Sequence, residues 1–339
     1  MTVLRLGRNI LDLLRQNYGE LEGRIIENPQ DDFASFAMPF EGKDIYLFRV
    51  IPSKIRLDVA LKEKYPELSR ASIQKYIKNG FVKVNNSPAD KPRILVSRED
   101  KISLDIPEKS SKQVNFPIIF EDKNVIVINK PQGILTHSKG VLNDEFTVAD
   151  FFKTHGSNFA NNTNRIGIVH RLDRETSGVI IGAKNESSAK KLQKQFSERT
   201  TKKTYFAIVK GSLNPKKALI NLPIARNNSA PSTFIVSSKG KPAQTKYEVI
   251  SENNRYSLVK LTPKTGRTHQ LRVHMNYIGH PILGDKVYDK NITKDKSNER
   301  MFLHAESLEI TIPPKTSEKD SQRKIFRATL PKEFKDKIQ

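Results

Sequence analysis

The sequence predicts an α+β fold divided between two domains. Short apolar runs rich in Val and Ile, such as 124–129 and 179–183, have the length of buried strands. Other segments place apolar residues at helical spacing, as Leu57, Ala60 and Leu61 do. A chain of 339 residues is also long enough to bury two hydrophobic cores.

The composition indicates a partner that carries many negative charges. The sequence has 59 Lys and Arg residues against 37 Asp and Glu residues, which gives a net charge of +22. A nucleic acid is the usual partner of such a chain, and an acidic lipid surface is the alternative. The absence of cysteine excludes disulfides, thiolate metal sites and a cysteine nucleophile. No apolar stretch reaches the roughly 20 residues that span a bilayer, so we expect no membrane partner.

Residues 1–52 form an N-terminal extension to which the sequence assigns no role. Apolar spacing predicts a helix from Val3 to Tyr18, and the segment 28–32 breaks that pattern. The start lacks the long apolar core of a secretory signal. Its basic, acid-poor character is also that of an organelle transit peptide, but a packed helix explains it equally well. We therefore expect a cytoplasmic protein.

Residues 53–108 predict a small α/β domain with a basic edge. One predicted helix ends at Pro66, and Ser69 is a good N-cap for a second. Gly80 suits the left-handed position that ends a helix, and 81–85 predicts a strand. Three basic side chains fall off the apolar stripe and are expected to face RNA, namely Arg70, Lys75 and Lys78. The alternative is a helical hairpin with a solvated basic face.

A polar linker over 109–115 leads into the larger domain, 116–335. Its predicted elements are, in order, a strand over 124–129, a helix capped by Asn185, strands over 203–209 and 256–261, and a helix from Thr268 to Ile278. His269 and His274 are five residues apart and point to different sides of that helix. A metal-binding histidine pair is therefore not expected.

The larger domain is organised around a charged loop, 170–178, between predicted strands over 166–169 and 179–183. Its central acid is Asp173. The basic neighbours in the loop are His170, Arg171 and Arg174. Positive neighbours favour the ionised form of a carboxylate. Such an aspartate acts as a nucleophile, as a base or as an ion-pair partner, and spacing alone leaves all three roles open.

The motifs of the larger domain resemble those of the RluA-type RNA pseudouridine synthases. His-Arg-Leu-Asp-x-x-Thr-Ser-Gly begins at His170, and Lys-Pro-x-Gly begins at Lys130. Three more motifs follow in the family's order: Lys-x-Tyr-x-Ala-x-Val from Lys203, Gly-Lys-x-Ala-x-Thr-x-Tyr from Gly240, and Thr-Gly-Arg-Thr-His-Gln-Leu-Arg-Val-His from Thr265. The domain over 53–108 resembles the S4 RNA-binding domain.

This resemblance implies roles for the matched residues. Asp173 matches the family's catalytic aspartate, and Tyr205 matches the tyrosine that stacks on the target base. Arg272 matches the arginine that pairs with the aspartate, with Arg267 as the alternative. The implied RNA contacts in this domain are Arg171, which fills the space that the base leaves, His170, Arg267 and Lys130. For Lys130 a scaffold role is the alternative. No metal or cofactor is implied.

The resemblance also implies the fold and the reaction. We expect a mixed, mainly antiparallel sheet with helices and loops around a central cleft. The expected function is isomerisation of uridine to pseudouridine in structured RNA, by a monomer. Large-subunit ribosomal RNA is the favoured target, because structured ribosomal RNA suits a second RNA-binding domain. The alternatives are a transfer-RNA modifier and a non-catalytic RNA-binding or ribosome-assembly protein.

Overall fold

The computed structural model describes residues 24–27, 33–40, 43–50, 54–105, 113–138, 143–157, 165–289, 299–313 and 321–339. The chain divides into two compact units, Met1–Glu108 and Lys109–Gln339. The helix predicted from Val3 to Tyr18 lies outside the described residues, as does most of the expected linker. Within the described residues, no helix is long and apolar enough to cross a membrane.

The first unit begins with a three-stranded antiparallel sheet that the sequence analysis did not identify. Its strands are β1 (Arg24–Glu27), β2 (Phe33–Phe40) and β3 (Lys43–Val50), with β2 in the middle. The register pairs Phe36 with Ile25 on one side and with Leu47 on the other. Part of the unassigned N-terminal extension is therefore a β-meander.

The remainder of the first unit confirms the predicted pair of helices followed by a strand. The elements are β4 (Lys54–Arg56), α1 (Leu57–Lys64), α2 (Arg70–Lys78), β5 (Val82–Val84), β6 (Ser87–Pro88), β7 (Leu95–Ser97) and β8 (Ile102–Leu104). Ser69 caps α2 by accepting a hydrogen bond from the Ser72 N–H at 3.1 Å. Gly80 follows α2 with φ +77°, the left-handed conformation expected there. Leu61 and Ile77 are fully buried in the small core.

A buried carboxylate ties the two helices of this unit together. Asp58 is fully buried and accepts hydrogen bonds from the Arg56 guanidinium at 2.9 Å. The Arg70 guanidinium donates to the same carboxylate at 3.1 and 3.3 Å, and the Gln74 amide donates at 2.6 Å. Burial raises the pKa of Asp58, but these hydrogen bonds outweigh that effect and lower it to about 2.

The second unit is built on one nine-stranded sheet. Its strands are β9 (Ile118–Glu121), β10 (Val125–Lys130), β11 (Ser177–Ala183), β12 (Lys202–Lys210), β13 (Lys217–Asn221), β16 (Gln244–Glu252), β17 (Tyr256–Pro263), β18 (Leu303–Ile312) and β19 (Gln322–Arg327). The order is β13-β16-β17-β12-β18-β11-β10-β9, and β19 also pairs with β18. Of the described strand pairs in this sheet, only β11–β18 is parallel. The predicted mixed, mainly antiparallel sheet is confirmed.

Helices cover both faces of this sheet. They are α3 (Val148–Thr154), α4 (Glu186–Ser197), α5 (Gln270–Tyr277) and α6 (Lys332–Asp336), and a separate hairpin pairs β14 (Ile224–Arg226) with β15 (Phe234–Val236). Alternate residues of β10 enter different cores: Val127 packs with α4, whereas Ile128 packs with α3. Burial of a Val or Ile side chain contributes about 1.5–3 kcal/mol, so apolar packing on both faces stabilises the centre of the sheet.

Two local predictions for this unit are wrong. Residues 166–169 form a turn with an isolated bridge between Ile168 and Gly182, and they are not a strand. Thr268 does not cap α5, because the helix begins one residue later and His269 occupies the N-cap without a side-chain cap bond. The predicted stop at Gly279 is confirmed, with φ +87°. The misassigned run at 166–169 is apolar because it packs at the edge of the core.

The end of the charged loop enters the sheet through a close backbone approach. Gly178 lies beside Ala305 on β18, and a Cβ atom at Gly178 would stand 2.2 Å from the Ala305 carbonyl oxygen. The φ of Gly178 is +114°, which also disfavours other residues. Next to it, the Ser177 hydroxyl lies 2.9 Å from Nδ1 of the buried His304. Two segments far apart in sequence thus fix the start of β11.

Candidate active site

The loop that carries Asp173 is held by the segment that follows β10. Thr136 Oγ1 donates to the Leu172 carbonyl at 2.8 Å and accepts the Leu172 N–H at 3.2 Å. The Gly133 N–H donates to the Arg174 carbonyl at 2.9 Å. These bonds hold the residues on both sides of Asp173, and they explain why the Lys-Pro-x-Gly turn accompanies the aspartate motif.

Lys130 serves the scaffold in this conformation. Its side chain is fully buried, and the ammonium group donates to the carbonyls of Pro131, Ile134 and Arg174 at 2.8, 2.9 and 3.1 Å. Burial lowers the pKa of Lys130 well below its ordinary value, although Glu175 and Asp173 oppose that effect. An ammonium group enclosed in this way cannot reach a phosphate, so the scaffold role is the one that the contacts favour.

Arg272 joins Asp173 to a second, deeper carboxylate. Its Nη1 lies 3.3 Å from Oδ2 of Asp173, while Nε and Nη2 donate to the two oxygens of Asp285 at 2.7 Å each. Asp285 is buried and also accepts the backbone N–H groups of Val287 and Tyr288. Burial lowers the pKa of Arg272, but the hydrogen bonds and charge of Asp285 outweigh this and hold it above its ordinary value. Asp285 therefore fixes the guanidinium that faces Asp173.

Asp173 opens into a cavity of about 370 Å³. The Asp173 side chain is 16% exposed, and its single contact with Arg272 leaves the Oδ1 oxygen without a hydrogen bond from the described residues. The cavity walls include Arg171, Asp173, Arg199, Lys203, Tyr205, Lys264, Arg267, His269 and Arg272. A partly exposed carboxylate thus lies in a cavity whose other charged side chains are mostly basic.

Tyr205 is on β12 and lines the same cavity as Asp173. The pairing of β12 with β18 shifts register between Thr204 and Tyr205, an irregularity that re-aims a side chain. Burial raises the pKa of Tyr205 above its ordinary value, and the Asp173 charge adds to the shift. The hydroxyl therefore stays protonated, and the half-buried ring is available for stacking.

The basic neighbours of Asp173 have different partners. The Arg174 guanidinium forms two hydrogen bonds with the Glu145 carboxylate, at 2.6 and 2.9 Å, and so points away from Asp173. Arg171 is exposed at the cavity wall. His170 accepts the Ile181 N–H at 3.1 Å and stacks on Phe196, with ring centres 4.5 Å apart. The ionic environment expected around Asp173 therefore comes mainly from Arg272, which is 99 residues away in sequence.

The structure adds three residues to the site that the sequence analysis did not assign. Asp285 holds Arg272, and Tyr288 packs under the Arg272 guanidinium at 5.0 Å. His269 places Nε2 3.9 Å from Oδ1 of Asp173. Asp285 and Tyr288 lie in the segment Gly284-Asp285-x-x-Tyr288, which also resembles the family, so their order in the sequence was a usable signal. His269 was considered only as a metal ligand.

The other expected RNA contacts lie in distinct surroundings. Arg267 donates to the Pro242 carbonyl at 3.1 Å and borders the cavity without an ion pair to Asp173 among the described residues, so the contacts favour Arg272 as the partner of the aspartate. In the first unit, Arg70 is bound to Asp58, while Lys75 and Lys78 are exposed on α2. No group of three or more metal-ligating side chains occurs in the part of the chain that the structure describes.

Comparison with known proteins identifies the family. The family described as RNA pseudouridylate synthase matches residues 124–277, and the S4 domain matches residues 55–102. Ribosomal large subunit pseudouridine synthase D of Borreliella burgdorferi is 40% identical over 303 residues, which cover 85% of this chain and 90% of that protein. The chain belongs to the RNA pseudouridine synthase family.

Other relatives of this synthase agree with that assignment. Ribosomal large subunit pseudouridine synthase D of Haemophilus influenzae is 34% identical over 274 residues, or 76% of this chain and 84% of that protein. The solved structure of human RNA Pseudouridylate Synthase Domain Containing 4 superposes with a TM-score of 0.50 at 27% identity, covering 64% of this chain and 90% of that one. The protein is an isomerase with an S4 RNA-binding domain and an RNA substrate.

Proposed function

We propose that this synthase converts specific uridines of large-subunit ribosomal RNA to pseudouridine, with Asp173 as the nucleophile. The observation that carries the proposal is the carboxylate of Asp173, which faces a basic cavity and is held on one oxygen only, by Arg272. The ribosomal target is supported by the relatives of that name in Borreliella burgdorferi and Haemophilus influenzae. Monomeric state and a cytoplasmic location belong to the same proposal.

The reaction needs a group that holds the sugar or the base while the ring turns. The C1′–N1 bond breaks, a C1′–C5 bond forms, N1 gains a proton and C5 loses one. Atoms and electrons therefore balance without an oxidant or a reductant. A single nucleophilic carboxylate suffices for such a step, because a covalent intermediate divides it in two. Asp173 has the access that this role requires.

The target uridine has to leave the RNA stack before Asp173 can reach it. Unstacking a base costs a few kcal/mol, and contacts in the pocket offset this cost. Stacking on an aromatic ring contributes about 1–3 kcal/mol, and the half-buried ring of Tyr205 supplies such a surface. Arg171, exposed at the cavity wall, is in our proposal the side chain that fills the space the uridine leaves in the helix.

The test of the catalytic assignment is the Asp173→Asn variant on RNA that carries tritium at C5 of uridine. We expect tritium release to be lost, while the Kd for RNA stays within about threefold, because the amide keeps the shape of the carboxylate but is a poor nucleophile. Release at the wild-type rate would refute the assignment of Asp173. Pseudouridine mapping in ribosomal and transfer RNA from cells with and without the gene decides between the two targets.

A non-catalytic role on the same fold is the alternative that the sequence left open, and the family assignment argues against it. It predicts RNA binding without tritium release by the wild-type protein on total cellular RNA from cells that lack the gene. The retained set of Asp173, Tyr205 and Arg272 in one cavity argues against that alternative.

A further inference from the structure

His269 occupies a position at the active site that the proposed chemistry does not yet use. Its ring is half-buried and stands edge-on to the rings of Phe234 and Tyr288, at centroid distances of 5.5 and 5.6 Å. Nδ1 lies 2.8 Å from the Tyr288 hydroxyl, and Nε2 lies 3.9 Å from Oδ1 of Asp173. The ring is thus fixed from one side and directed at the free oxygen of the aspartate.

The backbone of His269 adopts a left-handed conformation that is uncommon for residues other than glycine. Among the described residues that are not glycine, positive φ angles occur at Asn85, Asn86, Arg199 and His269. The asparagines form a tight turn, and Arg199 follows the end of α4, where left-handed geometry is common. His269 instead has φ +56° at an N-cap, where an extended conformation is usual. Such conformations persist where surrounding contacts enforce them, often at functional sites.

The hydrogen bonds of Tyr288 favour one tautomer of His269. The Tyr288 hydroxyl accepts the Phe234 N–H at 3.0 Å. Among the described contacts, its own hydrogen has Nδ1 of His269 as its acceptor. Nδ1 is then unprotonated, and the ring proton of neutral His269 is on Nε2. This tautomer directs an N–H donor towards the Asp173 carboxylate, which only accepts hydrogen bonds.

Building on the proposed function, we propose that His269 is a positioning residue for Asp173: its Nε2–H donates to Oδ1 of Asp173 when RNA is bound. Arg272 holds Oδ2 at 3.3 Å, so each carboxylate oxygen then has one fixed donor. The 3.9 Å separation is longer than a hydrogen bond, and catalytic hydrogen bonds are often long before the substrate enters and shorter in the complex. Two donors, one on each oxygen, would then fix the orientation of the carboxylate plane, which a single hydrogen bond does not.

The electrostatic surroundings keep His269 neutral for this role. Burial lowers the pKa of His269, and the positive charges of Arg272 and Arg171 act in the same direction. The Asp173 and Asp285 carboxylates oppose them without reversing the shift. A neutral imidazole leaves Arg272 as the charged partner of Asp173, while still offering one donor.

Two substitutions at position 269 separate this role from a structural one. In His269→Asn, the side-chain oxygen can take the place of Nδ1 and accept from Tyr288, and asparagine tolerates left-handed geometry, but no donor reaches Asp173. In His269→Gln, the longer amide brings an N–H close to the Nε2 position, whereas the backbone geometry is less suited to glutamine. We therefore expect His269→Asn to be the more stable of the two variants and His269→Gln to be the more active.

The experiment measures single-turnover tritium release and thermal unfolding for the wild type and both variants. We expect the rate at saturating enzyme to fall about 10- to 100-fold in His269→Asn and to stay within roughly threefold in His269→Gln, with the half-saturating concentration nearly unchanged. Equal rates in the two variants, or a loss confined to half-saturation, would overturn the proposal. So would ¹⁵N spectra of labelled histidines that place the His269 proton on Nδ1.

Asp173→Asn, measured in parallel, keeps the two hypotheses apart. If that variant retains wild-type release, the nucleophile assignment fails regardless of position 269. If it is inactive while the two variants at position 269 behave alike, only the positioning role of His269 is refuted.

Discussion

Two arginine–carboxylate networks, one in each unit, use the same chemical groups for opposite purposes. In the S4 domain, one acid is surrounded by donors: Asp58 receives hydrogen bonds from Arg56, Arg70 and Gln74. In the catalytic unit, one guanidinium is shared between two carboxylates: Arg272 donates two hydrogen bonds to Asp285 and one, at 3.3 Å, to Asp173. The first arrangement satisfies its carboxylate fully, and the second leaves an oxygen of Asp173 open.

The difference shows what separates a structural ion pair from a reactive one. Hydrogen bonds to an ionised carboxylate stabilise it and lower its reactivity, and the pKa of Asp58 at about 2 reflects such saturation. Asp285 accepts two of the hydrogen bonds that Arg272 donates, so Asp173 accepts only one from Arg272 in this structure. Counting the donors on each carboxylate therefore distinguishes the two aspartates better than burial does.

Substitution of Arg272 should have the largest effect on this comparison. Arg272→Met removes the cation that pairs with the buried Asp285 carboxylate, which costs about 3–5 kcal/mol of unfolding free energy. Arg272→Lys keeps the charge but cannot hold both carboxylates in a planar fork, so we expect a folded protein with tritium release about 10²–10³-fold slower. Urea unfolding and single-turnover assays measure the two effects.

Arg70→Met is the matched control in the S4 domain. Asp58 keeps Arg56 and Gln74, and the Arg70 side chain is 51% exposed, so we expect a loss of only about 1 kcal/mol or less. Release from a short stem-loop should be nearly unchanged. A loss as large as that of Arg272→Met would show that donor number does not separate the networks.

Acid stability provides a second test, through His170, three residues before Asp173 in the sequence. Burial and then the Lys203 charge lower the pKa of His170 to about 3, against 6.5 for an ordinary histidine. The unfolded chain therefore binds the proton more readily than the folded chain, and stability falls as the pH drops below 6.5 towards 3. Between pH 7 and pH 5 this amounts to about 2 kcal/mol.

His170→Gln removes this contribution and keeps an acceptor for the Ile181 N–H. We expect the difference in unfolding free energy between pH 7 and pH 5 to shrink by about 2 kcal/mol in the variant. Chemical denaturation at the two pH values measures it. An identical pH dependence in both proteins would mean that His170 is protonated equally in the folded and unfolded chains.

The smallest expected effect concerns Lys203, a cationic side chain that lines the cavity. No carboxylate pairs with Lys203 among the described residues, and burial lowers its pKa. We expect Lys203 to contact an RNA phosphate, so that Lys203→Met reduces the slope of log Kd against log salt by about 1 with little change in stability. Lys202→Met, next along β12 but paired with Glu309 at 3.2 Å, is the control and should change the slope less.

The residues proposed for catalysis could be predicted from the sequence because each of them belongs to a long motif. Asp173, Tyr205 and Arg272 each lie in a run whose order and spacing are specific, and the structure brings them to one cavity. The cap at Ser69 and the stops at Gly80 and Gly279 follow from local chemistry in the same way. Their roles in catalysis remain predictions that the variants above test.

The missed features depend on contacts between distant segments. The run 166–169 has the composition of a strand, but strand pairing is decided by neighbours, and only Ile168 has a bridge partner. Thr268 suits a cap, but His269 is held in that position by Tyr288, 19 residues later. Whether Lys130 faces solvent or three carbonyls likewise depends on the fold around it.

The parallel pairing of β11 with β18 has a consequence for biosynthesis. Ser177 and His304 are 127 positions apart, so the strand that fixes the start of β11 emerges from the ribosome long after the aspartate loop. A chain that ends before β18 has the S4 domain and all five matched motifs, the last of which begins at Thr265, yet lacks the central strand of its sheet. The residues of the S4 domain are thus synthesised well before the strand that completes the sheet of the catalytic unit.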